Sequence, residues 1–172
     1  PLQSGSDKVL RDMNRKYKVN DFLKIVKTFR KEFPFLTLST DIIVGYPTET
    51  KEDFEKTLNI VEETKPNIIN ISKFWPHSGT EASKFQQLNV NEIKERVKKL
   101  FELHKKISLE ENKKLIGFEG NCIVDKHGFG STWLARNENY NLIVLNGNFN
   151  LGEFVKIKIK DARSTYFIGE IK

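Results

Sequence analysis

The spacing of apolar residues changes character along these 172 residues, and each change marks an element. Val9, Leu10 and Met13 follow Ser6 and Asp7, either of which can cap a short helix. A longer helix is predicted from a cap at Asn20, because Phe22, Leu23, Ile25, Val26, Phe29 and Phe33 recur at helical spacing. Pro34 ends it, since proline donates no backbone hydrogen bond and disfavours helical geometry before it. The β-branched run from Leu36 to Gly45 predicts a strand buried on both faces. Thr50-Lys51-Glu52-Asp53 has the form of a capping box and opens a helix with Phe54, Thr57, Leu58 and Val61 on one side. Pro66 and Asn67 break that helix, and Ile68 to Phe74 predicts a second buried strand. A long amphipathic helix follows over about 91–115, its inner side carrying Ile93, Val97, Leu100, His104 and Ile107. Strand alternating with helix predicts right-handed parallel βαβ units.

After Gly117 the period shortens. Asn121–Val124, Ser131–Arg136, Leu142–Leu145, Phe154–Ile159 and Tyr166–Ile171 read as five strands of a small barrel, punctuated by Gly128, Gly130, Gly147 and Gly152. Val155 to Lys160 alternates strictly, so Lys156, Lys158 and Lys160 face outward together. The boundary is expected at 113–118, giving domains 1–114 and 115–172.

Composition narrows the class. With 38% hydrophobic and 30% charged residues, the chain is neither collagen-like nor low-complexity nor mainly disordered. No apolar run approaches the roughly 18 residues of a membrane-spanning helix. No basic segment followed by an apolar one reads as a secretion signal, so a cytoplasmic setting and no membrane partner are expected. Cys122 is the single cysteine, which excludes an internal disulfide framework and a thiolate-ligated cluster built by these residues. It reads as a buried small hydrophobe. The chain opens at Pro1 rather than Met and is expected to be part of something longer.

The net charge of +6 and pI near 9.3 favour a polyanionic partner without requiring one. Residues 1–110 carry 20 basic and 16 acidic side chains, and residues 111–172 carry 9 and 7. Nucleic-acid binding must therefore rest on arrangement rather than on net charge. In the barrel, Lys126, His127 and Phe129 share a turn, Trp133 and Arg136 a strand, and Tyr140 lies beyond it. Lys156, Lys158 and Lys160 add a cationic stripe. Lysines neutralise phosphates while aromatic rings stack on bases, so this interleaving fits RNA. A solvated edge strand protected by lysines gives the same pattern.

Elsewhere, Pro1 to Ser6 sets amide and hydroxyl groups beside Gly5 ahead of a helix, either a ligand-binding turn or a plain cap. Asp41 to Thr50 ends a strand at Gly45 and places Glu49 where the next helix begins, the ligand face of a βα barrel. Asp41 within an apolar strand needs a partner, Arg15 or a lysine, or else it is functional. His77 reads as a phosphate or base contact or an exposed loop residue, and His104 as a satisfied packing residue. The three histidines show no metal-ligand spacing.

Taken together, these motifs resemble the radical S-adenosylmethionine (SAM) methylthiotransferase family. The resemblance rests on Pro1 to Leu10 with Met13 to Tyr17, on Thr40 to Thr50 with Asp53-Phe54-Glu55, on Ser78-Gly79-Thr80-Glu81-Ala82, and on a terminal barrel similar to a TRAM domain. It implies an α/β fold: the second half of a radical SAM partial (β/α) barrel followed by a small antiparallel, OB-like β-barrel. It implies SAM and two 4Fe-4S clusters in a full-length parent, with the cluster cysteines upstream of Pro1. These 172 residues would then hold no cluster, no metal and no catalytic residue, and would be inactive alone. Gln3 and Ser4 would lie near SAM, Gly45 to Glu49 would shape the pocket edge, and Trp75 with its neighbours would approach the adenine. Lys126, Phe129, Arg136, Tyr140, Lys156 and Lys158 would contact RNA. Family members commonly carry arginine where this chain has His77, which removes a guanidinium fork there. Ser78 to Lys84 and Trp133 to Tyr140 look most similar to the archaeal and eukaryotic branch, which implies methylthiolation of N6-threonylcarbamoyladenosine beside the tRNA anticodon. The alternatives are isopentenyladenosine, a ribosomal-protein aspartate, or a non-catalytic RNA-binding piece. A half-barrel also leaves an open edge, so self-association is expected.

Overall fold

The computed structural model describes all residues from Pro1 to Lys172, which cluster into two compact units, Pro1–His104 and Lys105–Lys172. Unit one is built on parallel strands. β1 (Ser39–Val44) pairs in parallel with β2 (Ile68–Lys73), Ser39 opposite Ile68 and Val44 opposite Lys73. On the other edge of β1, Gln3 forms a parallel bridge to Ile42: its N–H donates to Asp41 O at 2.8 Å and its carbonyl accepts from Ile43 N at 3.0 Å. The chain ends of all three segments therefore point the same way.

Helices α1 (Asp7–Asp12), α2 (Val19–Glu32) and α3 (Lys51–Thr64) surround this sheet, and α4 (Val90–Lys113) carries the chain from one unit into the next. A single 3-10 turn spans Glu81–Lys84. Leu2, Leu10, Ile42, Val44, Val61 and Leu100 are fully buried, and their removal from water helps hold this unit together.

The capping box at Thr50 forms as the spacing predicts. Thr50 Oγ1 accepts from Asp53 N at 3.2 Å, and Asp53 Oδ2 accepts from Thr50 N at 3.2 Å. Phe54, Thr57, Leu58 and Val61 are buried, the face anticipated from their period. Asp53 does more than cap. Its Oδ1 accepts from Ser6 Oγ at 2.7 Å and its Oδ2 from Lys8 Nζ at 3.1 Å, which ties the start of α1 to the start of α3. Gly5 lies in this junction, and a Cβ there would stand 2.5 Å from Thr57 Cα, so only glycine permits the approach.

Three expectations need correction. The cap of α2 is Lys18 rather than Asn20, because Asp21 accepts from Lys18 N at 2.9 Å and Asp7 accepts from Val19 N at 2.8 Å. Of the apolar residues on α2 only Val26 is buried, while Ile25, Phe29 and Phe33 stay exposed. Neither strand is buried on both faces: β1 alternates, and β2 is mostly exposed because β1 is its only strand neighbour. Asp41 has neither a cation nor a buried site; it accepts from Asn70 Nδ2 at 2.8 Å.

Unit two is a closed five-stranded barrel in the order β3-β4-β5-β7-β6, from β3 (Glu119–His127), β4 (Thr132–Asn137), β5 (Leu142–Asn146), β6 (Phe154–Ala162) and β7 (Phe167–Ile171). Closure leaves no free edge. One pairing departs from the antiparallel expectation, since β5 runs parallel to β7. Joining the last strand to β5 with parallel sense closes the barrel without another hairpin. Cys122, Ala135, Ile143, Leu145, Ile157, Ile159 and Phe167 fill the interior. Among them Cys122 is inert, burial pushing its thiol up to about 11.

Burial acts to raise the pKa of Asp53, but hydrogen bonds from Ser6, Thr50 and Lys8 prevail and hold it well below the usual carboxylate range. A depressed carboxylate contributes stability that is present above its unfolded value near about 4 and is lost as pH falls through the folded value. Asp53→Asn is therefore expected to lower stability by about 2 kcal/mol at pH 7 in urea unfolding. The gap to the unsubstituted protein should narrow in the same measurement at pH 3. An equal gap at both pH values would assign the loss to packing alone.

Candidate functional site

The parallel sense of the three segments in unit one brings Ser4, Gly45 and Trp75 to one end of the sheet, the carboxyl end where α/β proteins bind ligands. Phe74 N donates to Val44 O at 2.8 Å, which carries the pairing past β2 to the residue beside Trp75. Ser4 is fully buried and its Oγ accepts from Ser6 N at 3.2 Å. Gln3 sits at φ 63°, a left-handed conformation rare outside glycine, and Tyr17 Oη donates to its Oε1 at 3.2 Å. Trp75 presents its ring to solvent at 76% exposure. His77 lies in a turn whose carbonyl accepts from Thr80 N at 3.2 Å and Thr80 Oγ1 at 2.7 Å.

Gly45 and Glu49 are joined rather than independent. Gly45 takes φ 85°, and its N–H donates to Glu49 Oε2 at 2.9 Å. The same Oε2 accepts from Arg96 Nη1 at 2.6 Å, and Arg96 Nη2 reaches Glu92 Oε1 at 2.6 Å. Side-chain exposures of 1% for Glu49 and 7% for Arg96 make this a desolvated pair. Burial pushes the Glu49 carboxyl up, while the Gly45 N–H and Arg96 draw it back. Glu49 is thus committed to shaping the Gly45–Glu49 turn. Arg96 escaped notice in the sequence because a lone arginine on a lysine-rich helix carries no local signal.

His104 is packed as expected. Its Nε2 lies 3.1 Å from Pro66 O, and burial lowers its pKa.

In the barrel, Arg136 and Tyr140 come together, the guanidinium 4.7 Å from the ring centroid and Nη1 donating to Tyr140 O at 3.0 Å. Tyr140 sits at φ 62° with its ring 68% exposed. Phe129 stands at the β3–β4 hairpin tip at 96% exposure, and His127 lies against Trp133 with centroids 3.6 Å apart. The lysine stripe is broken by acids. Lys158 pairs with Glu119 at 3.7 Å and Lys160 with Glu170 at 2.5 Å, whereas Lys156 and Lys126 form no salt bridge, Lys156 reaching Glu119 only through its longer-range field. Phe154, not singled out from sequence, is 77% exposed. It shares the outward phase of Lys156 and Lys158, and that phase was its available signal.

Two family profiles match this chain: the radical SAM superfamily over residues 1–61 and the TRAM domain over residues 113–172. Across 99% of its length it is 42% identical to a protein of Archaeoglobus fulgidus named "Probable threonylcarbamoyladenosine tRNA methylthiotransferase" and 40% identical to one of the same name from Pyrococcus horikoshii. A "tRNA-2-methylthio-N(6)-dimethylallyladenosine synthase" of Petrotoga mobilis is 40% identical over the same share. The chain spans about 40% of the length of each of these curated relatives. No helix is long and apolar enough to cross a membrane.

Radical SAM chemistry draws on SAM and an iron–sulfur cluster, and such clusters are held by several thiolates. Cys122 is buried inside the barrel, and no three His, Cys, Asp or Glu side chains converge to hold a metal ion. The residues of this chain do not fit a cluster.

Removing one partner of a buried ion pair strands the other charge. Arg96→Ala is expected to cost about 3–5 kcal/mol in chemical unfolding, whereas Glu49→Gln combined with Arg96→Met should cost much less. Equal losses would mean that packing around α4, rather than the stranded carboxylate, sets the cost.

Proposed function

We propose that this chain serves a tRNA methylthiotransferase that adds a methylthio group to N6-threonylcarbamoyladenosine beside the anticodon. The observation that carries this reading is the radical SAM and TRAM pair on one chain, together with whole-length similarity to relatives named for that modification. In this reading domain 1–114 lines part of the cofactor pocket and domain 115–172 holds the tRNA. Gln3, Ser4, the Gly45 backbone and the Trp75 ring face SAM, and Glu49 acts at one remove by fixing the turn at Gly45. Lys126, Phe129, Arg136, Tyr140, Lys156 and Lys158 belong to the RNA-binding side. The cluster ligands come from residues outside this chain, so these 172 residues bind tRNA without modifying it, in the cytoplasm. Self-association would occur through the open edge of the half-barrel, at its first strand.

The relative from Petrotoga mobilis, named for dimethylallyladenosine, supports a second reading in which the modified base carries that group. Nucleoside analysis of tRNA from cells with and without the gene distinguishes them. The proposal expects 2-methylthio-N6-threonylcarbamoyladenosine to disappear with the gene while the unmethylthiolated base accumulates. Loss of the methylthio-dimethylallyl nucleoside instead would transfer the assignment to the second reading.

Binding is the property these residues can show directly. In tRNA titrations, Lys156→Ala and Arg136→Ala are expected to weaken affinity and flatten its salt dependence. Lys158→Ala should do less, because Glu119 already offsets that charge. Unchanged affinity in all three variants would remove the proposed surface.

A further inference from the structure

The outward rows of the barrel juxtapose residues that lie far apart in sequence. Register sets Phe154 opposite Ile123 and Ile123 opposite Arg136, so one row across β6, β3 and β4 reads ring, aliphatic, guanidinium. Tyr140, under that guanidinium, continues the row with a second exposed ring. The next row on one side holds Lys156 opposite Asn121, and the row on the other side holds Lys126 opposite Leu134. The two lysines that form no salt bridge thus flank the aromatic row. The acids nearby are already engaged: Glu119 by Lys158 and Lys172, and Asp125 by Arg136 at 3.8 Å.

Resting on the reading of this barrel as an RNA-binding domain, we propose that the β6-β3-β4 face is a stacking platform for unpaired nucleotides rather than a cationic track for duplex RNA. The argument is one of accessibility and charge. Phe154 and Tyr140 offer rings that only an unstacked base can meet, since bases inside a duplex already cover their faces. A duplex would instead need a run of free cations along its backbone, and the Lys156-Lys158-Lys160 run supplies one, the other two being ion-paired. Tyr140 holds its exposed ring at a left-handed backbone position, a conformation that non-glycine residues rarely adopt. Lys126 and Lys156 stand where the phosphates on either side of a stacked base would pass.

The test is fluorescence anisotropy of the 172-residue protein with a labelled, unstructured RNA of about ten nucleotides, within the roughly 4–16 that one small barrel spans, and with a blunt duplex of equal length. The single strand is expected to bind more tightly than the duplex. Phe154→Ala and Tyr140→Asn are each expected to weaken it roughly tenfold; asparagine tolerates the left-handed backbone, so the ring is removed without breaking the turn. Lys156→Ala should lower the slope of log affinity against log salt by about one. Phe129→Ala, at the hairpin tip, should cost less than Phe154→Ala. Equal or tighter duplex binding overturns the platform. So does wild-type affinity in both ring variants alongside a loss in Phe129→Ala, which would leave the RNA-binding reading intact and move its site to the tip. Failure to bind either RNA overturns both.

Discussion

A carboxylate removed from water must collect donors or lose its charge, and Glu49 is the carboxylate on which the first unit turns. It takes the Gly45 N–H and the Arg96 guanidinium on a single oxygen, so the strand end and α4 are held by one desolvated contact. Gly45 accepts the positive φ this requires, and a Cβ there would stand 2.7 Å from Ile93 Cγ1, so helix and turn also meet sterically. Arg96 continues to Glu92 and lies 5.6 Å from the Phe54 ring, which links the pair to the core beneath α3. Asp53 does the equivalent work on the other flank by joining Ser6 and Lys8 to the α3 cap. The carboxyl end of the sheet is therefore defined by buried carboxylates that serve geometry, with the Ser4 hydroxyl buried beside them and the Trp75 ring facing outward.

The barrel follows a different rule. Its interior is apolar, and its exterior is sorted by charge compensation rather than by the presence of charge. Most of its basic side chains meet an acid, as in Lys114–Glu111, Lys158–Glu119, Lys160–Glu170 and Arg163–Asp161. Exposed pairs of this kind contribute little stability, about 0–1 kcal/mol each, but they do cancel the local field. What remains distinctive is the conjunction of Lys126 and Lys156, which form no salt bridge, with exposed rings on the barrel exterior.

Much of this was legible in the residues themselves. The period-two run at 155–160, the box at Thr50-Asp53 and the glycine-marked turns marked the five strands and the α3 start, since each depends on neighbours within a few positions, although β3 and β6 run two or three residues past the expected ends. The family resemblance was equally readable, because its motifs are contiguous stretches; those at the N-terminus, at Thr40 to Glu55 and in the barrel fall within the ranges the radical SAM and TRAM profiles match, and Ser78 to Ala82 lies between them. Less visible were the cap of α2, which depends on Asp7 twelve residues before Val19, and the partner of Asp41, which is an amide on the neighbouring strand rather than a cation.

The sequence by itself determined element order, barrel topology class and the residue types available for chemistry, because local periodicity and turn chemistry act over short distances. Only the tertiary structure decided that Glu49 is spent on Arg96, that two of three aligned lysines are neutralised, and that Phe154, Ile123, Arg136 and Tyr140 form one row. Each of these depends on strand register or helix packing between residues up to 47 positions apart, where no local pattern reports which side chains meet.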